Sequence, residues 1–154
     1  MRRAEHEKDC AFAEKVIDEC RYMTLSLVDE AGAPYCVPLS PVRRDGQIYF
    51  HCATAGRKLD AMRAHPQVSM SFVGNTEVPP KKFTLYYEAV YAEGTAGEVT
   101  DEVEKVEALR LLCEKYCPDD MSDFERVLRA WGARTGIWKI SLDKITSKCN
   151  FPHI

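Results

Sequence analysis

Two turn signals set most of what this chain can become. Asp29-Glu30-Ala31-Gly32 and Asp45-Gly46 separate three runs of β-favouring residues, Tyr22 to Val28, Pro34 to Val42 and Gln47 to Cys52. Tight turns between short strands make antiparallel neighbours, because a parallel crossover needs a far longer connection. The three runs are therefore expected to form a meander. In the third, Ile48, Phe50 and Cys52 fall on one face, with Tyr49 and His51 on the other. Pro38 and Pro41 interrupt the second run, and proline cannot donate to a sheet ladder. That run belongs at an edge, at a bulge or beside a ligand.

The flanking segments complete the pattern. Cys10, Ala13, Val16, Ile17 and Cys20 recur at helical spacing ahead of the strands. A short helix is expected from about Arg57 to Ala64, closed by His65-Pro66. Val68 to Val73 alternates as a strand, residues 74–82 read as a loop, and Phe83 to Val99 reads as a long β segment interrupted by a bend or bulge at Gly94 and Gly97. Two helices follow. The first has Thr100 as its cap and Val103, Val106, Leu109, Leu112, Cys113 and Tyr116 as its stripe. The second opens on a capping box, Ser122-Asp123-Phe124-Glu125, and carries Met121, Phe124, Val127, Leu128 and Trp131 on its apolar face. Gly136 to Ile145 returns to β. The βα alternation of a doubly wound sheet is missing, as is any G-x-G-x-x-G. The expected class is α+β, mainly antiparallel: one barrel-like or strongly curled sheet with peripheral helices, as a single domain over residues 1–154.

Composition narrows the function classes. The net charge is −3 and the lysines and arginines are spread along the chain, which argues against nucleic acid as a partner. No run is apolar enough to cross a membrane, and no apolar stretch follows the charged N-terminus as a signal peptide requires. A reducing cytoplasm is therefore the expected compartment. Seven cysteines, an odd number, fit that setting better than a disulfide framework. No C-x-x-C pair is present. Cys113 and Cys117 can share a helix face, but two thiols do not complete a zinc site, so no metal is expected.

The most informative stretch is His51-Cys52-Ala53-Thr54-Ala55-Gly56-Arg57-Lys58-Leu59-Asp60. It leaves a strand, turns through small residues and enters a helix. Small residues let a ligand approach the backbone, and a helix start presents unpaired N–H groups with partial positive charge. Arg57 and Lys58 add two cations where the helix dipole disfavours them, an arrangement that makes sense around an anion such as a phosphate monoester. The plain alternative is a solvated helix with ordinary surface basics.

Two runs, Gly32-Ala33-Pro34-Tyr35-Cys36-Val37-Pro38-Leu39 and Asp45-Gly46-Gln47-Ile48-Tyr49-Phe50-His51-Cys52-Ala53-Thr54-Ala55-Gly56-Arg57-Lys58, carry a pattern of P-Y-x-V-P-L followed by I-Y-F-H-x-A-x-x-G-x-K. Together they resemble the pyridoxamine-phosphate-oxidase-like superfamily, nearest its nitroimidazole-resistance branch of flavin proteins. Tyr87-Glu88-Ala89-Val90-Tyr91-Ala92-Glu93-Gly94 resembles a later strand of that branch. The resemblance implies a split β-barrel homodimer with FMN at the subunit interface. It implies that Lys58, with Arg57 beside it, holds the FMN phosphate, and that the turn through Cys52, Ala53, Thr54, Ala55 and Gly56 lines it. Val37, Pro38 and Leu39 would lie along the flavin ring, with His51 near it as the candidate catalytic residue and Trp138 reaching in from the partner subunit. Three features depart from the branch: Ala89 stands where serine is frequent, Ser40-Pro41 follows the P-L pair, and Tyr22-Met23 replaces a small-residue turn.

The implied activity is a flavin-dependent oxidoreductase reducing a small electron-poor or aromatic molecule, such as a nitroaromatic, with His51 passing a proton. The basic residues with which pyridoxamine phosphate oxidases hold their substrate's phosphate are not found, which argues against vitamin B6 oxidation. The rival reading is a split barrel that binds flavin or haem without turnover.

Overall fold

The computed structural model describes residues 4–152. Its elements run β1 (Glu7–Lys8), α1 (Cys10–Glu19), β2 (Met23–Val28), β3 (Pro34–Leu39), β4 (Val42–Arg44), β5 (Gln47–Cys52), α2 (Arg57–Ala64), β6 (Gln67–Glu77), β7 (Tyr86–Glu98), α3 (Glu102–Tyr116), α4 (Phe124–Trp131), β8 (Gly136–Ser141) and β9 (Lys144–Cys149). All pairings are antiparallel, and the strand path is β3-β2-β6-β7-β8-β5-β4, with β9 joining β7 and β1. The result is an α+β split barrel with helices packed outside.

The long strand β7 explains the split. One of its edges pairs with β6; the other pairs first with β9, through Glu88 to Glu93, and then with β8, through Ala96 to Glu98. The change of partner happens at Gly94, where the backbone carbonyl of Ser141 presses against the strand so closely that no side chain fits. The sequence places a bend or bulge here; the strand instead runs in register through both Gly94 and Gly97, and Gly94 marks the point at which the sheet divides. The one register shift of the β6–β7 pair lies elsewhere, between Val73 and Thr76. There the buried Glu88 carboxylate accepts from the Asn75 backbone N–H at 3.0 Å and side-chain amide at 2.8 Å.

The meander expectation is corrected. β2 and β3 form one hairpin and β4 and β5 another, at opposite ends of the path. The chain crosses between them at Ser40-Pro41, which belongs to neither ladder. Asp45 and Gly46, both at positive φ, close the second hairpin. The final β segment is likewise two strands, β8 and β9, joined at Leu142-Asp143.

Two apolar clusters hold the layers. Val16 and Ile17 of α1, Leu59 and Met62 of α2, and Leu25, Phe50, Met70, Phe72 and Trp138 of the sheet fill the inner one. Tyr49 and Ile137, on the opposite pleat faces of β5 and β8, meet Ala108 and Leu112 of α3 in the outer one. Each large side chain buried this way is worth about 1.5–3 kcal/mol. Asp101, rather than Thr100, caps α3, accepting from the Glu104 N–H at 2.8 Å. The capping box of α4 does not form, because a 3-10 turn over Pro118–Asp123 leads directly into the helix and Asp123 pairs with Arg126. On α3, Val103 is 67% exposed, and on α4 Trp131 is 58% exposed, so those stripes are narrower than their periodicity implies.

Candidate functional site

β5 ends at Cys52, and the chain turns through Ala53, Thr54, Ala55 and Gly56 into α2. Gly56 sits at φ 138°, ψ 163°, a conformation closed to residues with a Cβ, and its carbonyl accepts the first helical bonds from Leu59 and Asp60. Helical geometry leaves the N–H groups before them without intrahelical acceptors.

Beside this turn lies a cavity of about 510 Å³, lined by Tyr22, Pro38, Leu39, Ser40, His51, Cys52, Ala53 and Lys58. The fold thus brings together six residues that the sequence singles out: Pro38, Leu39, His51, Cys52, Ala53 and Lys58. β3 supplies the first pair, the end of β5 supplies His51 and Cys52, the turn after it Ala53, and the first turn of α2 the lysine. His51 is exposed while Cys52, on the opposite pleat face, is buried and donates to the Gly136 carbonyl. Burial pushes the Cys52 thiol pKa up, and the nearby Lys58 ammonium pulls it partly back.

Lys58 and Arg57 have different surroundings. Arg57 donates to Asp29 Oδ2 at 2.9 Å and lies 4.4 Å from the centroid of the Tyr35 ring. That bond, with the Ala33 and Ala31 N–H groups, holds the Asp29 carboxyl below its ordinary range. Lys58 has no carboxylate partner among the described residues and is the cation that faces the cavity. A second cavity, of about 410 Å³, is lined by the carboxylates of Glu93 and Asp143 with Ser26, Gln67 and Thr95, a poor setting for an anion.

Besides Gly56 and Arg57, four expected site residues lie outside the cavity lining. Val37 packs on the core, one pleat away from Pro38. Thr54 and Ala55 stay exposed in the turn, outside the cavity lining. Trp138 is corrected most clearly: it is 2% exposed, sits in the inner cluster of its own chain across from Phe50, and is capped by Arg63 5.7 Å from its ring. Its Nε1 is buried without a hydrogen-bond partner among the described residues.

Two lining residues, Tyr22 and Ser40, escape the sequence-based site. They enter it only because the α1–β2 and β3–β4 connections converge in space. The sequence marks them as departures from the family pattern, which is the one signal available. Among the described residues no cluster of three or more His, Cys, Asp or Glu side chains could hold a metal, and no helix is long and apolar enough to cross a membrane.

No curated protein matches the chain in sequence. Solved structures do. A 5-nitroimidazole antibiotic resistance protein of Bacteroides thetaiotaomicron aligns at TM-score 0.75 and 20% identity, over 92% of this chain and 84% of that one. A flavocytochrome of Azotobacter vinelandii aligns at TM-score 0.80 and 20% identity, over 98% and 72%. An FAD-binding protein of Mesorhizobium loti aligns at TM-score 0.65 and 20% identity, over 94% and 97%. At such identities they share the fold. The sequence profile of the pyridoxamine 5'-phosphate oxidase family matches residues 11–149, nearly the whole split barrel, and the chain therefore belongs to that family.

Proposed function

We propose that the cavity at the start of α2 receives the phosphate end of FMN and that the protein is a flavin-dependent oxidoreductase for a small electron-poor or aromatic substrate. One observation carries this reading: Lys58, without a carboxylate partner among the described residues, stands at a helix start on the rim of a 510 Å³ cavity walled by Pro38 and Leu39. The residues fit the group. A phosphate needs a cation and N–H donors, which Lys58 and the first turn of α2 supply. A flat aromatic ring needs an apolar wall, which Pro38 and Leu39 give.

Bound flavin supplies the hydride or electrons. The chain's own residues do the rest. Lys58 offsets the phosphate charge, the small residues before it let the backbone come close, and His51, exposed at the cavity, holds or delivers a proton to the reduced substrate. The flavin- and nitroimidazole-related structures of the same fold support the reading.

The reading includes a homodimer. The register aligns Pro38, Thr24, Ser71, Tyr91 and Thr146 across five strands on the outer sheet face, without a charge. That face runs to Pro38 at the cavity, so a second copy seated there would close the open side of the site. Flavocytochrome likeness keeps haem as the rival ligand. The absorbance spectrum of purified protein separates them. A flavin spectrum, bleached by NAD(P)H or dithionite and restored by a nitroaromatic, supports the oxidoreductase. A Soret band, or a colourless protein that ignores added FMN, overturns it.

A further inference from the structure

The wall of the cavity formed by Pro38, Leu39 and Ser40 has an anchoring problem. Among the described residues β3 has only β2 as a strand neighbour, and Pro38 and Pro41 bring no N–H to any ladder. Ser40 and Pro41 stand between the two hairpins without a strand partner. A backbone corner with so few ties does not by itself hold a fixed shape beside a ligand.

The last turn of α3 supplies the tie. Lys115 Nζ donates to the Pro41 carbonyl at 2.9 Å and to the Ile17 carbonyl at 3.3 Å. Tyr116 Oη donates to the same Pro41 carbonyl at 2.8 Å. Two side chains that are neighbours in sequence therefore converge on one oxygen, one residue away from the cavity lining. Ile17 lies in the last turn of α1, the helix that leads through Cys20 and Arg21 to Tyr22, the opposite part of the same lining. Lys115 thus lashes together the two segments that deliver Tyr22 and Ser40 to the site. Arg43 repeats the link two residues beyond the corner, donating to Asp18 at 3.0 and 2.7 Å.

Simple stability is a weak explanation for this device. A half-buried ammonium carries a desolvation cost, visible in a Lys115 pKa lowered by burial, and an apolar side chain of similar length packs more cheaply there. Fixing the position of a corner that the prolines leave untied is what a charged donor to two carbonyls does well.

We infer that Lys115 and Tyr116 are positioning residues for the flavin site, acting through the Pro41 carbonyl to set the Pro38–Ser40 wall against Tyr22. They touch no ligand themselves. The inference rests on the reading of this cavity as the flavin site.

The test is FMN titration, followed by quenching of free-flavin fluorescence, on the full chain and on Lys115→Met, Tyr116→Phe and Leu112→Ala. Leu112 packs in the outer cluster with Val42 and Tyr116 but donates nothing to the Pro41 carbonyl, so its variant loosens α3 while leaving both hydrogen bonds of the tie in place. The expected result is roughly tenfold weaker FMN binding for Lys115→Met and Tyr116→Phe, the effect of one lost hydrogen bond to a carbonyl. A shifted visible spectrum of the bound flavin accompanies it, and Leu112→Ala, though less heat-stable, keeps the parent affinity and spectrum. Parent-like binding and spectrum in the Lys115 and Tyr116 variants overturn the inference alone. So does an equal loss of affinity in Leu112→Ala, which marks the effect as general loosening. A parent chain that binds no FMN overturns the flavin reading and this inference with it.

Discussion

Gly94 and Ser141 meet backbone to backbone: a Cβ on Gly94 would stand 1.7 Å from the Ser141 carbonyl oxygen. The obstacle is a main-chain atom at the end of β8, so neither partner can turn aside. Gly94→Ala must push β8 off β7 at the point where the sheet divides, and the loss of stability is expected to exceed about 4 kcal/mol. Urea unfolding of the variant checks it, and a midpoint close to the parent's would show that β8 can shift. Gly97, three residues on, has open space at the same test, so Gly97→Ala should be mild by comparison.

Much of this architecture is legible from residue pattern alone, because period and turn chemistry are local. The bounds of α1 and α2 and the Asp45-Gly46 hairpin follow from neighbours in sequence. The meander fails because Ser40-Pro41 looks like an interruption within one strand when it is a crossing between two hairpins; only the distant pairing of β5 with β8 decides that. The turn at Leu142-Asp143 carries no glycine or proline to announce it. The site behaves the same way. His51 to Lys58 is contiguous and readable, whereas the commitment of Arg57 to Asp29 and the burial of Trp138 behind Phe50 depend on strands far away in the chain.

The contrast between the two adjacent cations gives a second prediction. Lys58→Ala removes the ammonium that faces the cavity and is expected to weaken FMN binding by about 1–3 kcal/mol, the range of a charge-assisted hydrogen bond. Arg57→Ala breaks an exposed pair with Asp29 and should change the affinity by no more than about twofold. Titration of both variants decides the matter; equal losses would mean that Arg57 leaves Asp29 for the ligand.

For His51, binding and turnover should separate. His51→Asn keeps a polar side chain of similar reach and no proton to exchange, so FMN content is expected to hold. Reduction of a nitroaromatic by the pre-reduced protein should slow by at least about a hundredfold, the lower range for a lost general acid. Stopped-flow reoxidation at matched flavin loading measures it. An unchanged rate would assign the proton to solvent.

Tyr49 offers a test of the outer cluster by pH. Its hydroxyl donates to Glu104 Oε1 at 2.8 Å, and burial, with that bond and the Glu104 charge, pushes its pKa up to about 12. A folded pKa raised above the unfolded value of about 10 means stability is fully present below pH 10 and is lost as pH climbs through 12. Denaturant midpoints measured from pH 9 to 12 should therefore fall more steeply for the parent than for Tyr49→Phe. Parallel curves would deny the phenol any differential ionisation.

The outer sheet face decides whether the site is complete in one copy. Thr24, Ser71 and Tyr91 lie side by side on it, and beside them the Glu93 carboxylate accepts from the Tyr91 hydroxyl at 3.1 Å and pairs with Lys144 at 3.3 Å. A row of uncharged side chains running across five exposed strands is a face that a partner can bury. If a second copy covers it, Ser71→Glu places a charge in the middle of the contact without a counter-ion, which costs several kcal/mol at a desolvated interface. The parent should sediment as a dimer and Ser71→Glu as a monomer, with flavin lost in step, because Pro38 joins this face to the cavity. A monomeric parent that still holds flavin tightly would place the whole site within one chain.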